Sequence, residues 1–475
     1  MDWEAIIAYI RDSLGNTVVL PIVIAILGIA LGQKWPRAIR SGLTIGVAFV
    51  GLGLVINLLI GALAPATNAF IERFGVHLTT IDVGWPVAAA IAFGTTIGAL
   101  VVPLAIGVNV LMLLTRLTRT LNVDIWNFWH YAFTGSLVYL VTGENLAAGL
   151  LAAAFHAVLA LMIADITAPA VQKFFKLPGI SIPQGWAVTS VPLAMAGNWV
   201  IDRIPVVRDI KADAETIERR LGVAGDPLIL GVVLGIGFGL LAGYEIAATL
   251  VLGVQLGAVM LLIPRIIGIF MEGLVPVSEA ARTFFQKRFA GREFYVGLDS
   301  AILIGHPITI AAAILLIPTT LVLAAILPGN TTLPLADLAA TAFFVAMATV
   351  ITGGNLFRTY VIGTGIMVMV LYLTSFFAPT VTQTATNIGY ELPPEAIGAA
   401  QISALSGGNL FAFIAYIVSD SVGIVGPAIL LVGAVVLAYL LRNTQYHGPA
   451  TPEAPRREAP APAREPAPAA PVASA

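Results

Sequence analysis

The chain has 475 residues, 58% hydrophobic and 11% charged, with a mean hydropathy of +0.94. That is more apolar sequence than a soluble core requires, and it is what a bundle of membrane spans needs. A net charge of −2 argues against a nucleic-acid partner, and the absence of cysteine excludes disulfides, thiolate metal sites and cysteine nucleophiles.

The N-terminal stretch MDWEAIIAYIRDSLGN has neither a basic n-region nor a small-residue cleavage site, so it does not read as a removed signal peptide. A span takes about 20 mostly apolar residues. Candidates fall at 17–32, 41–63, 87–115, 128–142, 146–167, 227–243, 246–271, 305–327, 337–352, 359–378 and 423–441. Segments 182–200 and 394–418 are weaker, with Pro183 and Pro394 near their starts and Gly-Asn pairs in their middles. They are expected to be re-entrant hairpins, because irregular backbone at membrane depth is tolerated only beside protein or a wet cavity. The expectation is an all-α polytopic membrane protein with about eleven transmembrane helices and two re-entrant hairpins.

Charge orients this scheme. With the N-terminus outside, segments 33–40, 116–127, 168–226, 272–304, 353–358 and 442 onward become cytoplasmic, and of the 24 Lys and Arg residues only Arg11 and Arg73 fall outside. Arg265, near the cytoplasmic end of a span, can snorkel. The stretch 379–422 has neither Lys nor Arg, as an external segment should. Residues 443–475 are Pro/Ala-rich, cannot build a core, and read as a disordered cytoplasmic tail.

An internal repeat divides the remainder into halves at 1–226 and 227–442. Residues 142–169 (TGENLAAGLLAAAFHAVLALMIADITAP) match 352–379 (TGGNLFRTYVIGTGIMVMVLYLTSFFAP) at Thr, Gly, Asn, Leu and the terminal Ala-Pro. Pro183, Gly197 and Asn198 match Pro394, Gly408 and Asn409 at nearly the same offset, and Pro65 matches Pro276, each opening an amphipathic stretch. Thr142-Gly143 ends a span outside and Thr352-Gly353 ends one inside, so the halves are expected to cross the membrane in opposite directions, as in secondary transporters. The Gly-Asn breaks leave free backbone groups able to bind a polar solute. For 143–145 and 353–355 a plain tight turn is an equal reading; for the hairpin pair the solute-binding reading leads. Gly231, Gly235, Gly239 and Gly243 form a small-residue stripe for close helix packing, at a dimer or domain interface.

Three runs carry a resemblance: PLAIGVNVLMLLTRLTRTLNVDIWNFWH (103–130), EFYVGLDSAILIGH (293–306), and PGNTTLPLADLAATAFFVAMA (328–348) leading into GGNLFRT (353–359). The chain resembles the galactitol-type enzyme IIC of the bacterial phosphoenolpyruvate-dependent sugar phosphotransferase system, in the ascorbate–galactitol superfamily. The resemblance implies a homodimeric permease of the bacterial inner membrane, with a dimerising domain and a mobile core that carries solute like an elevator. It also implies a polyol substrate and soluble IIA and IIB partners that carry the phosphoryl group. The first hairpin tip departs from the pattern: it reads SIPQGWAV, where the resemblance leads one to expect histidine after the proline. Gln184 hydrogen-bonds but cannot be protonated, which counts against galactitol itself and leaves a related polyol open, so that the solute is expected to be galactitol or a related alditol.

A polyol's hydroxyls both donate and accept, so its site calls for neutral amides, histidines, a few carboxylates and aromatic faces. NVDIWNFWH supplies Asn127, Trp129 and His130, with an interfacial aromatic belt as the alternative for the tryptophans and Trp126 undecided. Asp299 and His306 lie seven apart on one helix face; Asp299 is nearly as readily a helix cap, whereas for His306 the site reading leads. His156 reads as a packing histidine satisfied by a backbone carbonyl. The candidate solute residues are thus Asn127, Trp129, His130, Gln184, Asn198, Asp299, His306, Asn355 and Asn409. No catalytic residue, metal or cofactor is expected, and no phosphate-cradling GxxxxGK[ST] loop is present. The rival function is an ion-coupled secondary transporter without phosphotransfer, in which Asp299 and His306 relay protons.

Overall fold

The computed structural model describes residues 15–75, 78–212, 226–288, 293–392, 396 and 399–449. Arg11, the remote tail from 450 and part of the basic stretch 203–220 lie outside the described residues. The first half runs α1 (Gly15–Ala30), α2 (Trp35–Phe74), β1 (Thr80–Asp82), α3 (Gly84–Gly94), α4 (Thr96–Leu114), β2 (Thr120–Asn122), a 3-10 turn (Trp126–Phe128), α5 (Trp129–Val141), α6 (Leu146–Phe175), β3 (Ile180–Ser181) and α7 (Ala187–Ile201). The second half runs α8 (Pro227–Ala242), α9 (Ile246–Arg288), β4 (Tyr295–Gly297), α10 (Ala301–Ile304), α11 (Pro307–Ile326), β5 (Thr332–Leu333), a 3-10 turn (Asp337–Ala340), α12 (Thr341–Ile351), α13 (Leu356–Asn387), β6 (Gln401–Ser403), a 3-10 turn (Leu405–Gly407), α14 (Leu410–Val422) and α15 (Val425–Leu441). Among the described residues five helices, α2, α4, α6, α11 and α13, are long and apolar enough to cross a membrane, and shorter apolar helices accompany them.

Helices α1, α2, α8 and α9 pack as one group, which meets the remaining helices through α11 and the 337–340 turn. The glycine stripe belongs to the seam inside this group. A Cβ on Gly231 would come within 2.9 Å of Gly257 Cα, and one on Gly235 within 2.8 Å of Gly253 Cα. The stripe therefore sets the α8–α9 hairpin within one chain, not contact with a second copy. Leu43, Leu54, Ile246 and Val254 stand exposed on the outer faces of α2 and α9, surface that lipid tolerates and water does not.

The described residues form two small parallel sheets. Their strand orders are β5-β1-β6 and β2-β4-β3, so each central strand comes from one half of the chain and its flanking pair from the other. Ile81 pairs Leu333 and Ile402 in the first; Val296 pairs Leu121 and Ile180 in the second. Helix α4, with 19 residues, is about 28 Å long at 1.5 Å per residue, close to the roughly 30 Å hydrocarbon thickness of a bilayer.

At the first sheet Asp82 ties the halves together. Its side-chain oxygens accept N–H groups from Gly84 (3.0 Å), Leu335 (3.1 Å), Asp337 (2.9 Å) and Leu405 (3.2 Å). Asp337 answers across the same junction, accepting from Trp85 (2.6 Å) and Ser406 (2.8 Å).

Several elements differ from the hydropathy reading. The span expected at 87–115 is two helices broken at Thr95, whose hydroxyl caps α4 by accepting the Gly98 N–H (3.0 Å) and meets Ser136 Oγ (2.8 Å). Helix α9 continues to Arg288, beyond the expected end at 271, and the 337–352 segment opens with a 3-10 turn. Pro65 and Pro276 lie inside α2 and α9, not at the openings of new helices. The tail begins as built structure: Tyr446 N–H donates to Ile166 O (2.8 Å) and its hydroxyl to Ile351 O (3.1 Å).

The Gly-Asn motifs divide. Asn145, Asn355 and Asn409 each cap the helix that follows, accepting N–H groups with the side-chain oxygen. Gly143, Gly353 and Gly354 take positive φ in the turns before the first two. Gly197 and Asn198, by contrast, lie near the C-terminal end of the unbroken α7, so they are not the counterparts of Gly408 and Asn409, which precede α14.

Candidate functional site

Strand β3 delivers Pro183, Gln184, Gly185 and Trp186 as a turn into α7. The Gln184 side-chain oxygen accepts the Ala187 N–H, so its amide nitrogen is the end that faces His130 Nε2, 3.0 Å away. An amide nitrogen only donates; His130 Nε2 is therefore the accepting nitrogen and the proton of the neutral ring sits on Nδ1. Tyr131 donates its hydroxyl to the Pro183 carbonyl (3.0 Å).

The Gly185 carbonyl is held from two sides, by Asn409 Nδ2 (3.1 Å) and His156 Nε2 (3.0 Å). His156 Nδ1 meets the Thr134 hydroxyl (2.7 Å), which also reaches the His130 carbonyl (3.1 Å). These contacts close a ring from His130 through Thr134, His156, Gly185 and Gln184 back to His130. Glycine is required at 185: a Cβ there would lie 2.7 Å from His130 Cβ and 3.1 Å from the Tyr131 ring. Asn409 joins the second half to the ring. Its oxygen accepts the Phe411 (2.9 Å) and Ala412 (3.2 Å) N–H groups and the Thr189 hydroxyl (2.9 Å). The N-terminus of α14 thus meets the 183–186 turn. His130, His156, Gln184 and Asn409 are all buried.

Aromatic rings enclose the cluster. Trp129 lies over His130 (centroids 3.8 Å apart) with Phe133 at its edge, and Trp186 lies over Phe344 of α12 at 4.2 Å. Beside Tyr131 and Pro183 sits a second polar group, in which Asn127 donates to both Asp124 oxygens at 2.9 Å and reaches Asp299. Asp299 accepts the Ala301 N–H (3.0 Å), the capping contact that its place before Ser300 suggested.

The structure thus brings together His130, Gln184, Asn409 and Trp129, with Asn127 and Asp299 adjoining through Tyr131 and Pro183. Three candidates have other partners. His306 caps α11, its Nδ1 accepting the Ile308 N–H (3.2 Å) while Phe174 packs on its ring at 4.6 Å. Asn198 accepts from Arg358 Nη1 (2.7 Å), and Asn355 caps α13 and donates to Ile210 O (2.8 Å). Arg358 also grips Asp202 (2.6 Å) and the Arg208 carbonyl (2.8 Å), so this region is an anchor for the loop after α7. His156, expected as a packing histidine satisfied by a backbone carbonyl, is fully buried and contacts the Gly185 carbonyl.

The family model described as "PTS system sugar-specific permease component" matches residues 9–396. The chain is 47% identical over 429 residues to the "Putative permease IIC component" of Escherichia coli (strain K12), covering 90% of this chain and 97% of that one. It is 43% identical over 387 residues to the "PTS system galactitol-specific EIIC component" of the same strain, covering 82% and 85%, and equally to that component of Escherichia coli O157:H7. With a family match over most of its length and several membrane-length apolar helices, the chain belongs to the sugar-specific permease components, EIIC, of the phosphotransferase system, and is a multi-pass membrane transport protein.

Proposed function

We propose that this permease binds a polyol, galactitol or a related alditol, and carries it inward for phosphorylation by a partner IIB protein. The observation that carries the reading is the junction at Gly185. There neutral donors and acceptors from both halves of the chain, His130, Gln184 and Asn409, converge beside the indole of Trp129. Neutral amides and imidazoles suit hydroxyls, which need donors and acceptors together, and the indole suits a C–H face. The likeness to galactitol-specific relatives supports the substrate class. Asn127 and Asp299 adjoin the site; Asn198, Asn355 and His306 act in anchoring and capping.

The two halves form an inverted repeat in this reading, supported by the exchange of strands between the sheets. The end bearing β2-β4-β3 faces the cytoplasm. Arg116, Arg119, Arg203, Arg208, Arg358 and Arg442 cluster there, while the segments around the other sheet, 78–84, 327–340 and 399–409, contain no Lys or Arg. The phosphoryl-donating partners dock on the basic face, and two protomers associate through the group formed by α1, α2, α8 and α9.

Calorimetry on the purified protein tests the site. Gln184→Ala and His130→Ala are each expected to weaken galactitol binding about fivefold or more, the equivalent of one lost hydrogen bond of about 1 kcal/mol. Asn355→Ala, which touches only the loop anchor, is expected to bind as the native chain does. Equal affinities across all three variants would remove the site from the Gly185 junction.

A further inference from the structure

We infer that the indole N–H of Trp186 is a solute-binding donor, held free for one hydroxyl of the polyol; the inference rests on the site reading above. Trp186 is only 2% exposed, and its Nε1 has no hydrogen-bond partner among the described residues. A buried N–H left without an acceptor is costly, and native proteins satisfy nearly all such groups, so an exception asks for a reason. The surroundings supply one. Trp186 follows Gln184 and Gly185 in a turn whose other polar contacts are made within the protein: Gln184 with His130 and Ala187, Tyr131 with Pro183, His156 and Asn409 with Gly185.

The ring itself is well fixed. It packs against Phe344 with centroids 4.2 Å apart and planes tilted by 41°, and α7 begins at the next residue, so the orphan donor is not a consequence of a loose side chain. An indole has no acceptor, and its one donor needs an oxygen or nitrogen lone pair. A polyol hydroxyl provides that lone pair and can still donate its own proton elsewhere. The group matched is a single hydroxyl, which makes Trp186 a specificity residue as well as a source of affinity.

Binding of galactitol and of its 1-, 2- and 3-deoxy analogues, to the native full-length protein and to Trp186→Phe, tests this as a thermodynamic cycle. Phenylalanine keeps a ring against Phe344 and removes the donor. Galactitol affinity is expected to fall about fivefold or more, and one deoxy analogue, lacking the partner hydroxyl, is expected to bind both proteins alike. An unchanged galactitol affinity overturns the inference. So does a loss of equal size for every analogue, which is the mark of a repacked site. If Trp186→Phe fails to fold, β-(3-benzothienyl)alanine at 186, which keeps the bicyclic shape and replaces N–H by sulfur, carries the same comparison. Gln184→Ala separates the two levels of the account. If it weakens binding while the 186 variants do not, the donor role alone fails; if galactitol binds and Gln184→Ala leaves it unaffected, the site reading fails first.

Discussion

Asp82 gathers four backbone N–H groups, from Gly84, Leu335, Asp337 and Leu405, three of them in the second half of the chain. Removing one acceptor from a buried donor costs about 1–3 kcal/mol, so Asp82→Ala should destabilise the fold by at least about 3 kcal/mol, read as a large fall in the melting temperature in detergent. A variant that melts with the native protein would mean that these contacts do not hold the halves together. At this scale the sequence marks polar residues that interrupt apolar sequence, and the structure brings three of them, His130, Gln184 and Asn409, to one junction. Others have local partners. His306 precedes Pro307, a favourable first helical residue, and its ring is used as the cap of α11. Asn198 shares its Gly-Asn pair with Asn409 but is committed to Arg358. The contact of His156 with Gly185 and that of Asn409 with the same carbonyl join residues 29 and 224 positions apart, which no spacing rule connects.

Among elements, the long apolar helices were legible as helices but not in their full length, as in α2, α9 and α13, and the irregular connections were not legible. Hydropathy averages over a window, so it passed across Thr95, where one hydroxyl and one extended residue separate α3 from α4. It also gave no sign of the six short strands, whose two or three residues fall below any periodicity. Helices α7 and α14, with 15 and 13 residues, measure about 22 and 20 Å, too short for a bilayer of about 30 Å. The glycine stripe was legible as close packing, but its partner was not. Because Gly235 abuts Gly253 within the α8–α9 hairpin, Gly235→Leu is expected to lower thermal stability of the protein by overpacking, at about 1–3 kcal/mol or more. A variant with native melting behaviour and a changed oligomeric state would instead place the stripe between subunits.

For the molecule as a whole, the organising feature is the exchange of strands: each half supplies the centre of one sheet and the edges of the other. In the proposed reading, the ends of the transport core open in turn around the Gly185 junction while α1, α2, α8 and α9 stay as a frame. The chain contributes binding and passage. Phosphorylation would then retain the product, because a phosphate dianion is no ligand for a neutral, buried amide and imidazole cluster. The central claim is tested most directly by radiolabelled galactitol supplied to proteoliposomes that contain the native protein. With IIA, IIB and the general phosphotransferase proteins and phosphoenolpyruvate inside, labelled galactitol phosphate should accumulate in the lumen, and omission of IIB alone should abolish it. Accumulation of unmodified galactitol driven by a proton gradient, with no phosphotransferase protein present, would contradict the account.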